Sequence, residues 1–118
     1  MKKLVEIFAI AGLMSVAASV SSFAAQDTLR VVQDRGYVKC GVSQGLPGFS
    51  NPDDKGNWKG IDVDFCRAVA AAIFGTDEKV KFTPLSAKER FTALQSGEVD
   101  LLARNTTWSM HRDTALGV

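Results

Sequence analysis

The chain contains little of what a metal or redox site requires. It has one histidine, His111, and two cysteines, Cys40 and Cys66. Their spacing matches neither a C-x-x-C redox motif nor a zinc site, which needs several cysteine or histidine ligands. Two structural interpretations of the cysteines remain: a pair of buried thiols that pack as small hydrophobic groups, or one disulfide that joins a strand to the following helix.

The chain also lacks an excess of charge of either sign. It has 14 basic and 13 acidic residues, and the basic residues form no run. Proteins that bind nucleic acid or an anionic membrane surface concentrate positive charge, so the balance excludes both as expected partners. The sequence shows no repeat, heptad pattern or low-complexity segment, and a length of 118 residues suits at most one small domain.

Two features that could indicate an enzyme do not support one in this sequence. The glycines that follow the first predicted strand do not make a G-x-G-x-x-G pattern, and no helix starts directly after them, so a nucleotide loop is not expected. Asp62 and Asp64 could be taken for a pair of catalytic carboxylates, but no partner base or nucleophile stands near them. We interpret both as residues that start a helix.

Residues 1–24 have the pattern of a cleaved signal peptide. A pair of lysines precedes a weakly apolar run at residues 7–20, and the small residues Ser22 and Ala24 fit a cleavage site after residue 24. The run is too short and too rich in Gly, Ala and Ser for a membrane span. No cysteine lies near the cleavage site to carry a lipid anchor. We therefore expect residues 25–118 to be exported and soluble.

Apolar periodicity and turn residues predict that strands and helices alternate. The predicted helices are 28–35, 62–74 and 86–97, the predicted strands are 37–42, 80–84 and 99–103, and a long loop covers residues 43–60. The order β-α-β-α-β predicts a parallel sheet with right-handed crossovers, and the third strand can pair on the far side of the first. The fold class is therefore α/β with strand order 2-1-3.

Local signals mark where these elements begin and end. We expect Asp62 to cap the second helix and Pro84 to close the second strand. Ser86 and Glu89 have the spacing of a capping box for the third helix. That helix carries Phe91 and Leu94 on the stripe that we expect to be buried.

The predicted strand order also predicts where a ligand binds. In an open parallel sheet the ligand lies beyond the carboxyl ends of the strands, where the strand order reverses. Here that place is formed by the loop that starts at Ser43 and by residues 104–112, which are rich in hydroxyl, amide and guanidinium groups. Arg112 offers a planar fork that matches a carboxylate. The alternative is a polar loop with a solvated arginine, and the position of the segment favours binding.

Three strings in the sequence resemble one family of transport proteins. GIDVDFCRAVAAAI at residues 60–73 resembles the signature of the polar amino-acid-binding receptors of ABC transporters, family 3. VKCGVSQG at residues 38–45 and ARNTTW at residues 103–108 are most similar to its general L-amino-acid-binding members. The resemblance implies a type II periplasmic-binding-protein lobe, in which residues 25–118 form the N-terminal part of lobe 1. We expect the rest of such a two-lobed protein to lie beyond Val118.

The resemblance also implies roles for individual residues. Arg112 would bind the α-carboxylate of the ligand, Thr107 would contact the carboxylate and the amine, and Asn105 would contact the amine. The loop after the first strand would place Ser43 and Phe49 near the ligand side chain. The family usually has an acidic residue at the place of Ser43, so its absence removes a charge selective for basic side chains and favours broad specificity.

The implied function is a periplasmic receptor that binds L-amino acids and delivers them to an inner-membrane ABC permease. We expect a monomer that needs no cofactor. Two alternatives remain: an enzyme on the same scaffold, similar to the cyclohexadienyl dehydratases, or the sensory domain of a larger receptor. The predicted cleft has no positioned acid or base, so we do not expect catalysis.

Overall fold

A computed structural model describes residues 28–116. Within that range the elements are α1 (Thr28–Arg35), β1 (Val38–Ser43), β2 (Asn51–Pro52), β3 (Trp58–Lys59), α2 (Ile61–Phe74), β4 (Val80–Leu85), α3 (Arg90–Gln95), β5 (Leu101–Leu102) and α4 (Met110–Leu116). The predicted signal peptide, residues 1–24, lies outside the described residues. No helix in the described range has both the length and the apolar character needed to cross a membrane.

The main sheet has three parallel strands in the order β4-β1-β5. Cys40, near the middle of β1, lies opposite Phe82 on one side and opposite Leu101 on the other. The predicted α/β fold with strand order 2-1-3 is therefore confirmed. Because β1 is the central strand, the strand order reverses at its carboxyl end.

Side chains alternate across β1 and fill both faces of the sheet. Val38, Cys40 and Val42 are fully buried in clusters formed with α1 and α2. Gly41 points to the opposite face, where a Cβ would approach Leu85 Cδ1 to 2.8 Å. On that face Leu85 packs with residues of α3 and the segment before β5. The glycine thus lets the second layer pack directly on the strand.

The two cysteines lie in this core. Cys40 on β1 and Cys66 on α2 are both fully buried, and the structure joins them by a disulfide with a Cα–Cα distance of 6.2 Å. That distance is within the normal range for the bond. The bond would tie the central strand to the helix that covers it, and its presence in exported protein stays a prediction.

The start of α2 differs from the prediction that Asp62 caps it. The helix begins at Ile61, and its N-cap is Gly60, without a side-chain cap. The backbone N–H groups of Ile61 and Asp62 instead donate to the carbonyl oxygens of Gly48 and Phe49, at 3.1 and 3.0 Å. The cap is therefore supplied by the preceding loop rather than by a neighbouring side chain. The predicted end is confirmed, because Gly75 caps the helix in the left-handed conformation.

The predicted long loop at residues 43–60 contains a small hairpin. β2 and β3 pair in antiparallel fashion, with Asn51 opposite Lys59. Asp53 shapes the turn between them, because its carboxylate accepts the backbone N–H groups of Lys55 and Asn57 at 3.0 and 2.8 Å. These bonds to the Asp53 side chain hold the turn, in place of the further backbone hydrogen bonds that a longer hairpin would have.

The predicted end of β4 at Pro84 is wrong by one residue, because the strand continues through Pro84 to Leu85. β4 is an edge strand of the described sheet, where a residue without an N–H group is tolerated. The third strand is shorter than the predicted 99–103, although Ala103 N–H still donates to Gly41 O at 2.9 Å.

The two reciprocal bonds of the predicted capping box are present, but Ser86 is not the N-cap. The helix α3 runs from Arg90 to Gln95 with Glu89 as its N-cap, so it is shorter than the predicted 86–97, and its buried stripe is not the predicted one. Ser86 N–H donates to Glu89 Oε2 at 3.1 Å, and Glu89 N–H donates to Ser86 Oγ at 3.3 Å. The bonds to Ser86 lower the pKa of Glu89, because they favour its charged form. Arg90 and Ala93 are the buried residues of the helix, whereas the predicted Phe91 and Leu94 are only half-buried.

Candidate functional site

A pocket lies where β5 ends and the chain turns into α4. It has a volume of about 180 Å³ and is lined by Leu102, Thr106, Thr107, Trp108 and Arg112. Leu102 supplies apolar area, Thr106 and Thr107 supply hydroxyl groups, and Arg112 supplies a guanidinium group. Trp108 is 76 % exposed, so its ring stands at the surface of the pocket. The pocket therefore combines apolar area with a few polar groups, as small-molecule sites do.

The first turn of α4 fixes Arg112 at this pocket. Ser109 precedes the helix, and its Oγ accepts the backbone N–H of Arg112 at 3.4 Å. The guanidinium donates from Nη1 to the carbonyl oxygen of Thr107 and lies over the ring of Phe91, 5.3 Å from its centroid. Because a guanidinium carries five donors, this bond leaves others for a ligand. The structure thus brings the predicted residues Arg112 and Thr107 together.

Asn105 lies beside the pocket and is held by two further arginines. Its backbone oxygen accepts from Arg90 Nη1 at 3.0 Å. Its side-chain oxygen accepts from Arg104 Nη2 at 3.1 Å. Asn105 is an exposed residue, and its side-chain NH₂ group makes no hydrogen bond to residues 28–116. Asn105 is not among the residues that line the pocket, and its contact with an amine stays a prediction.

Arg104 reaches across the end of the sheet. It follows β5, yet its Nη1 donates to the carbonyl oxygen of Leu85, the last residue of β4. Because β1 lies between these two strands, the side chain crosses the end of β1. Its Nε is buried and has no hydrogen-bond partner among residues 28–116.

Arg90 is the buried arginine of this group, with an exposure of 7 %. Its guanidinium lies over the ring of Phe91, 5.0 Å from the centroid, and its Nε has no partner within the described range. Burial lowers the pKa of Arg90, and the positive charges of Arg104 and Arg112 lower it further. The three arginines therefore share one electrostatic environment, although an arginine keeps its proton in a protein.

One carboxylate lies near this group. Burial raises the pKa of Asp62, and the positive charge of Arg104 partly opposes that effect. The Oδ2 atom of Asp62 is buried without a hydrogen-bond partner among residues 28–116. Asp62 makes no ion pair with any arginine in that range, where the ion pairs are Arg35–Asp100, Lys59–Asp53 and Arg67–Asp64.

Ser43 and Phe49 lie at the same end of the sheet but do not line this pocket. Ser43 ends β1, and its backbone N–H donates to Ser50 Oγ at 3.1 Å. Phe49 is 46 % exposed and lies in the loop that caps α2. Their contact with a ligand side chain stays a prediction. His111 is exposed, and residues 28–116 contain no cluster of three or more His, Cys, Asp or Glu residues that could hold a metal.

Sequence reasoning did not single out Arg90, and it included Arg104 only as the first residue of the predicted binding segment 104–112. Both act through contacts with residues 15 or 19 positions away in the chain, and no local pattern reports such contacts. One signal was available for Arg90, because it stands three residues before Ala93 on the face of α3 that packs on the sheet. Arg104 carried a weaker signal, since it directly follows the predicted third strand.

Comparisons with known proteins agree with the described fold. Residues 38–117 match the sequence model of the bacterial extracellular solute-binding proteins, family 3. The chain is 60 % identical over 107 residues to the general L-amino acid-binding periplasmic protein AapJ of Rhizobium johnstonii, covering 91 % of this chain and 30 % of the relative. It is 50 % identical over 107 residues to the glutamate/glutamine/aspartate/asparagine-binding protein BztA of Rhodobacter capsulatus, covering 91 % of this chain and 32 % of the relative.

A solved structure gives the same result. A periplasmic binding protein of an ABC transporter from Brucella ovis, with glutathione bound, superposes with a TM-score of 0.75 and 68 % identity. The match covers 77 % of this chain and 28 % of that protein. The chain thus spans about a third of the length of the curated relatives that it matches.

Proposed function

Because this chain belongs to the bacterial extracellular solute-binding proteins, family 3, we propose that it forms part of a periplasmic receptor for L-amino acids. In this proposal residues 1–24 are cleaved on export, and residues 25–118 are the N-terminal part of lobe 1. The receptor acts as a monomer without a cofactor and delivers its ligand to an inner-membrane ABC permease. The observation that carries the proposal is the placement of Arg112 and Thr107 on one pocket at the carboxyl end of the sheet.

The proposed binding step starts from the guanidinium of Arg112. Its free donors form two parallel hydrogen bonds with the α-carboxylate of the ligand, in the geometry that a planar fork favours. The Thr107 hydroxyl donates to the same carboxylate or accepts from the ammonium group, because a hydroxyl can do both. Asn105 contributes polar contacts to the ammonium group, and Ser43 and Phe49 face the ligand side chain.

The pocket is open to one side, since Thr107 and Trp108 are both exposed. A single lobe with such a pocket touches an amino acid from one direction. We infer that a second lobe closes over the ligand by a hinge motion and that closure is what the permease recognises. Shielding from water then strengthens the ion pair between Arg112 and the carboxylate.

We also infer that the ligand leaves unchanged. General acid–base catalysis needs a group that exchanges a proton near the operating pH. The ionisable group that lines the described pocket is Arg112, and a guanidinium keeps its proton. The chemistry of this part of the site therefore supports capture and release rather than conversion.

The test is to incubate the full-length gene product with a mixture of L-amino acids, remove free ligand, denature the protein and identify the released molecules by mass spectrometry. We expect intact L-amino acids in about equal number to the protein. Recovery of a dehydrated or decarboxylated product instead would identify an enzyme. Protein that carries no amino acid and shows no saturable uptake would contradict the receptor proposal.

A further inference from the structure

Trp108 lines the pocket beside Arg112, yet its side chain is largely exposed to solvent. The other tryptophan, Trp58, is half-buried, and its ring packs against Phe82 with 6.3 Å between the centroids. Trp108 forms no such pair with an aromatic ring of residues 28–116. A large apolar surface at a pocket is typical of a contact site, because tryptophan offers a broad, rigid face at a small cost in conformational entropy.

Arg112 holds the chain on both sides of Trp108. Its guanidinium donates to the carbonyl oxygen of Thr107, and its backbone N–H donates to Ser109 Oγ at 3.4 Å. Trp108 stands between these two contacts. Its backbone is therefore fixed relative to the guanidinium that binds the ligand carboxylate in the proposed function.

Leu102 gives the pocket a second apolar surface, and the core of the sheet holds it in place. Its Cδ1 lies 3.0 Å from the position that a Cβ on Gly41 would take, and it packs against the buried cluster between the sheet and α3. The carboxylate and the ammonium group of an amino acid use Arg112 and Thr107 in the proposed function. Leu102 and Trp108 then remain as the apolar lining for the rest of the ligand.

We propose that Trp108 is a specificity-determining residue, whose ring contacts the apolar part of the ligand side chain and makes the affinity rise with the length of that side chain. The inference rests on the proposed function and deepens it. The Cβ of an L-amino acid is two bonds away from the carboxylate carbon, so a carboxylate on Arg112 starts the side chain inside the pocket that Trp108 lines. Each further methylene group that leaves water for the ring face adds to the affinity.

An alternative explanation is that Trp108 packs against another part of the full-length protein and does not touch the ligand. Its removal would then change the affinity for every ligand by the same factor. A contact with the ligand instead changes the ratio of the affinities for long and short side chains. The decisive quantity is therefore the ratio of affinities for two amino acids that differ only in aliphatic length.

The experiment is isothermal titration of the full-length gene product with L-alanine, L-2-aminobutyrate and L-norvaline. Their side chains grow by one methylene group at each step and carry no polar group. Complete burial of a methylene group gives about fourfold in affinity, and a ring that covers one side of it should give about twofold. Over the two steps we therefore expect norvaline to bind about fourfold more tightly than alanine.

Two alanine variants separate a ligand contact from a general effect on the pocket. Trp108→Ala should lower the norvaline-to-alanine ratio to below about twofold, because the apolar ring is gone. Met110→Ala is the matched control, since Met110 is as exposed as Trp108 but does not line the pocket. It should leave the ratio unchanged. A ratio that falls equally in both variants, or in neither, would overturn the proposal.

A second measurement tests the contact even if Trp108→Ala does not fold. The full-length protein is labelled with 5-fluorotryptophan, and the ¹⁹F resonance of Trp108 is assigned as the one that is missing from Trp108→Phe. This resonance should shift by different amounts on saturation with alanine and with norvaline, because a ring that touches the ligand side chain senses its length. Equal shifts with the two ligands would contradict the contact.

The outcomes distinguish this inference from the proposed function. Equal affinities for the three ligands in the unmodified protein, or binding of other L-amino acids but none of these three, would overturn the role of Trp108 and leave an amino-acid receptor in place. Binding of no L-amino acid at all would overturn both. Losses by the same factor for alanine and norvaline in Trp108→Ala would assign Trp108 to packing against another part of the protein.

Discussion

Gly60 lies directly against the backbone of Phe49, so that a Cβ on residue 60 would stand 2.2 Å from the Phe49 carbonyl oxygen. The same carbonyl accepts the N–H of Asp62, and the neighbouring Gly48 carbonyl accepts the N–H of Ile61. The contact thus fastens the loop that carries Ser43 and Phe49 to the start of α2. Its geometry requires a residue without a side chain, because the backbone at Gly60 has φ 122° and ψ 171°.

Replacing Gly60 by alanine should therefore destabilise this lobe strongly. The change places a methyl group on the Phe49 carbonyl and forces a conformation that is nearly exclusive to glycine. We expect the free energy of unfolding of the lobe to fall by about 3 kcal/mol or more. Chemical denaturation of the full-length gene product measures it.

Gly75→Ala is the control for Gly60→Ala. Gly75 also has a positive φ, of 73°, but no atom lies within 4 Å of the position that its Cβ would take. In its alanine variant the free energy of unfolding should fall by only about 1–2 kcal/mol, which is what the left-handed backbone conformation costs a residue with a side chain. If the two variants lose similar amounts of unfolding free energy, the close contact of residue 60 with the Phe49 carbonyl is not what makes Gly60 necessary.

The Cys40–Cys66 bond gives a second prediction. If it forms on export, reduction should lower the free energy of unfolding by about 3–4 kcal/mol, because the bond closes a loop with a sequence separation of 26. Thermal melts with and without reductant measure the effect, and the double variant Cys40→Ala/Cys66→Ala should not respond to reductant. Two thiols that alkylate in native, unreduced protein would show that the bond is absent.

The hairpin at Asp53 gives a prediction on pH. Its carboxylate accepts the Asn57 backbone N–H and pairs with Lys59, and these contacts lower the pKa of Asp53 from 3.8 to about 2. Because the folded value lies below the unfolded one, the contribution of Asp53 to stability is complete above about pH 4 and is lost as the pH falls through 2. NMR titration of the Asp53 carboxyl carbon should give a midpoint near pH 2.

Lys59→Met tests the order of these causes. The variant removes the ion pair but keeps the bond from the Asn57 backbone, which has the larger effect on the pKa of Asp53. The titration midpoint should rise only part of the way to 3.8. A complete return to the ordinary value would assign the effect to Lys59 instead.

The sheet could be predicted from the sequence because its signals are local. Alternating apolar residues mark β1, Gly75 marks the end of α2, and the Ser86–Glu89 box directly precedes α3. The cap of α2 could not be predicted, because its acceptors at Gly48 and Phe49 lie more than ten residues earlier in a folded loop. An aspartate at position 62 satisfied the local rule, but the helix begins one residue earlier, and the N–H of Asp64, which a cap at Asp62 could have accepted, donates to the carbonyl oxygen of Gly60 instead.

The candidate site also contains residues that the sequence predicts and residues that it does not. Arg112 and Thr107 were predicted from their place after the last strand, and the structure puts both on one pocket. Their contact with a ligand stays a prediction. The reach of Arg104 could not be predicted, because its side chain crosses to the carbonyl oxygen of Leu85 at the end of β4. The sequence alone shows which residues follow a strand but not which of their side chains meet.

The most direct test of the receptor account is the role of Arg112 in binding an α-carboxylate. Isothermal titration should compare the full-length gene product, Arg112→Ala, Arg112→Lys and the control Arg67→Ala, each with the amino acid that the unmodified protein binds best. We expect Arg112→Ala to lose about 2–5 kcal/mol of binding free energy, which is roughly thirtyfold or more in affinity. Arg112→Lys should recover only part of the loss, because an ammonium group cannot form the fork. Unchanged affinity in a folded Arg112→Ala protein would contradict the account and remove Arg112 from the site.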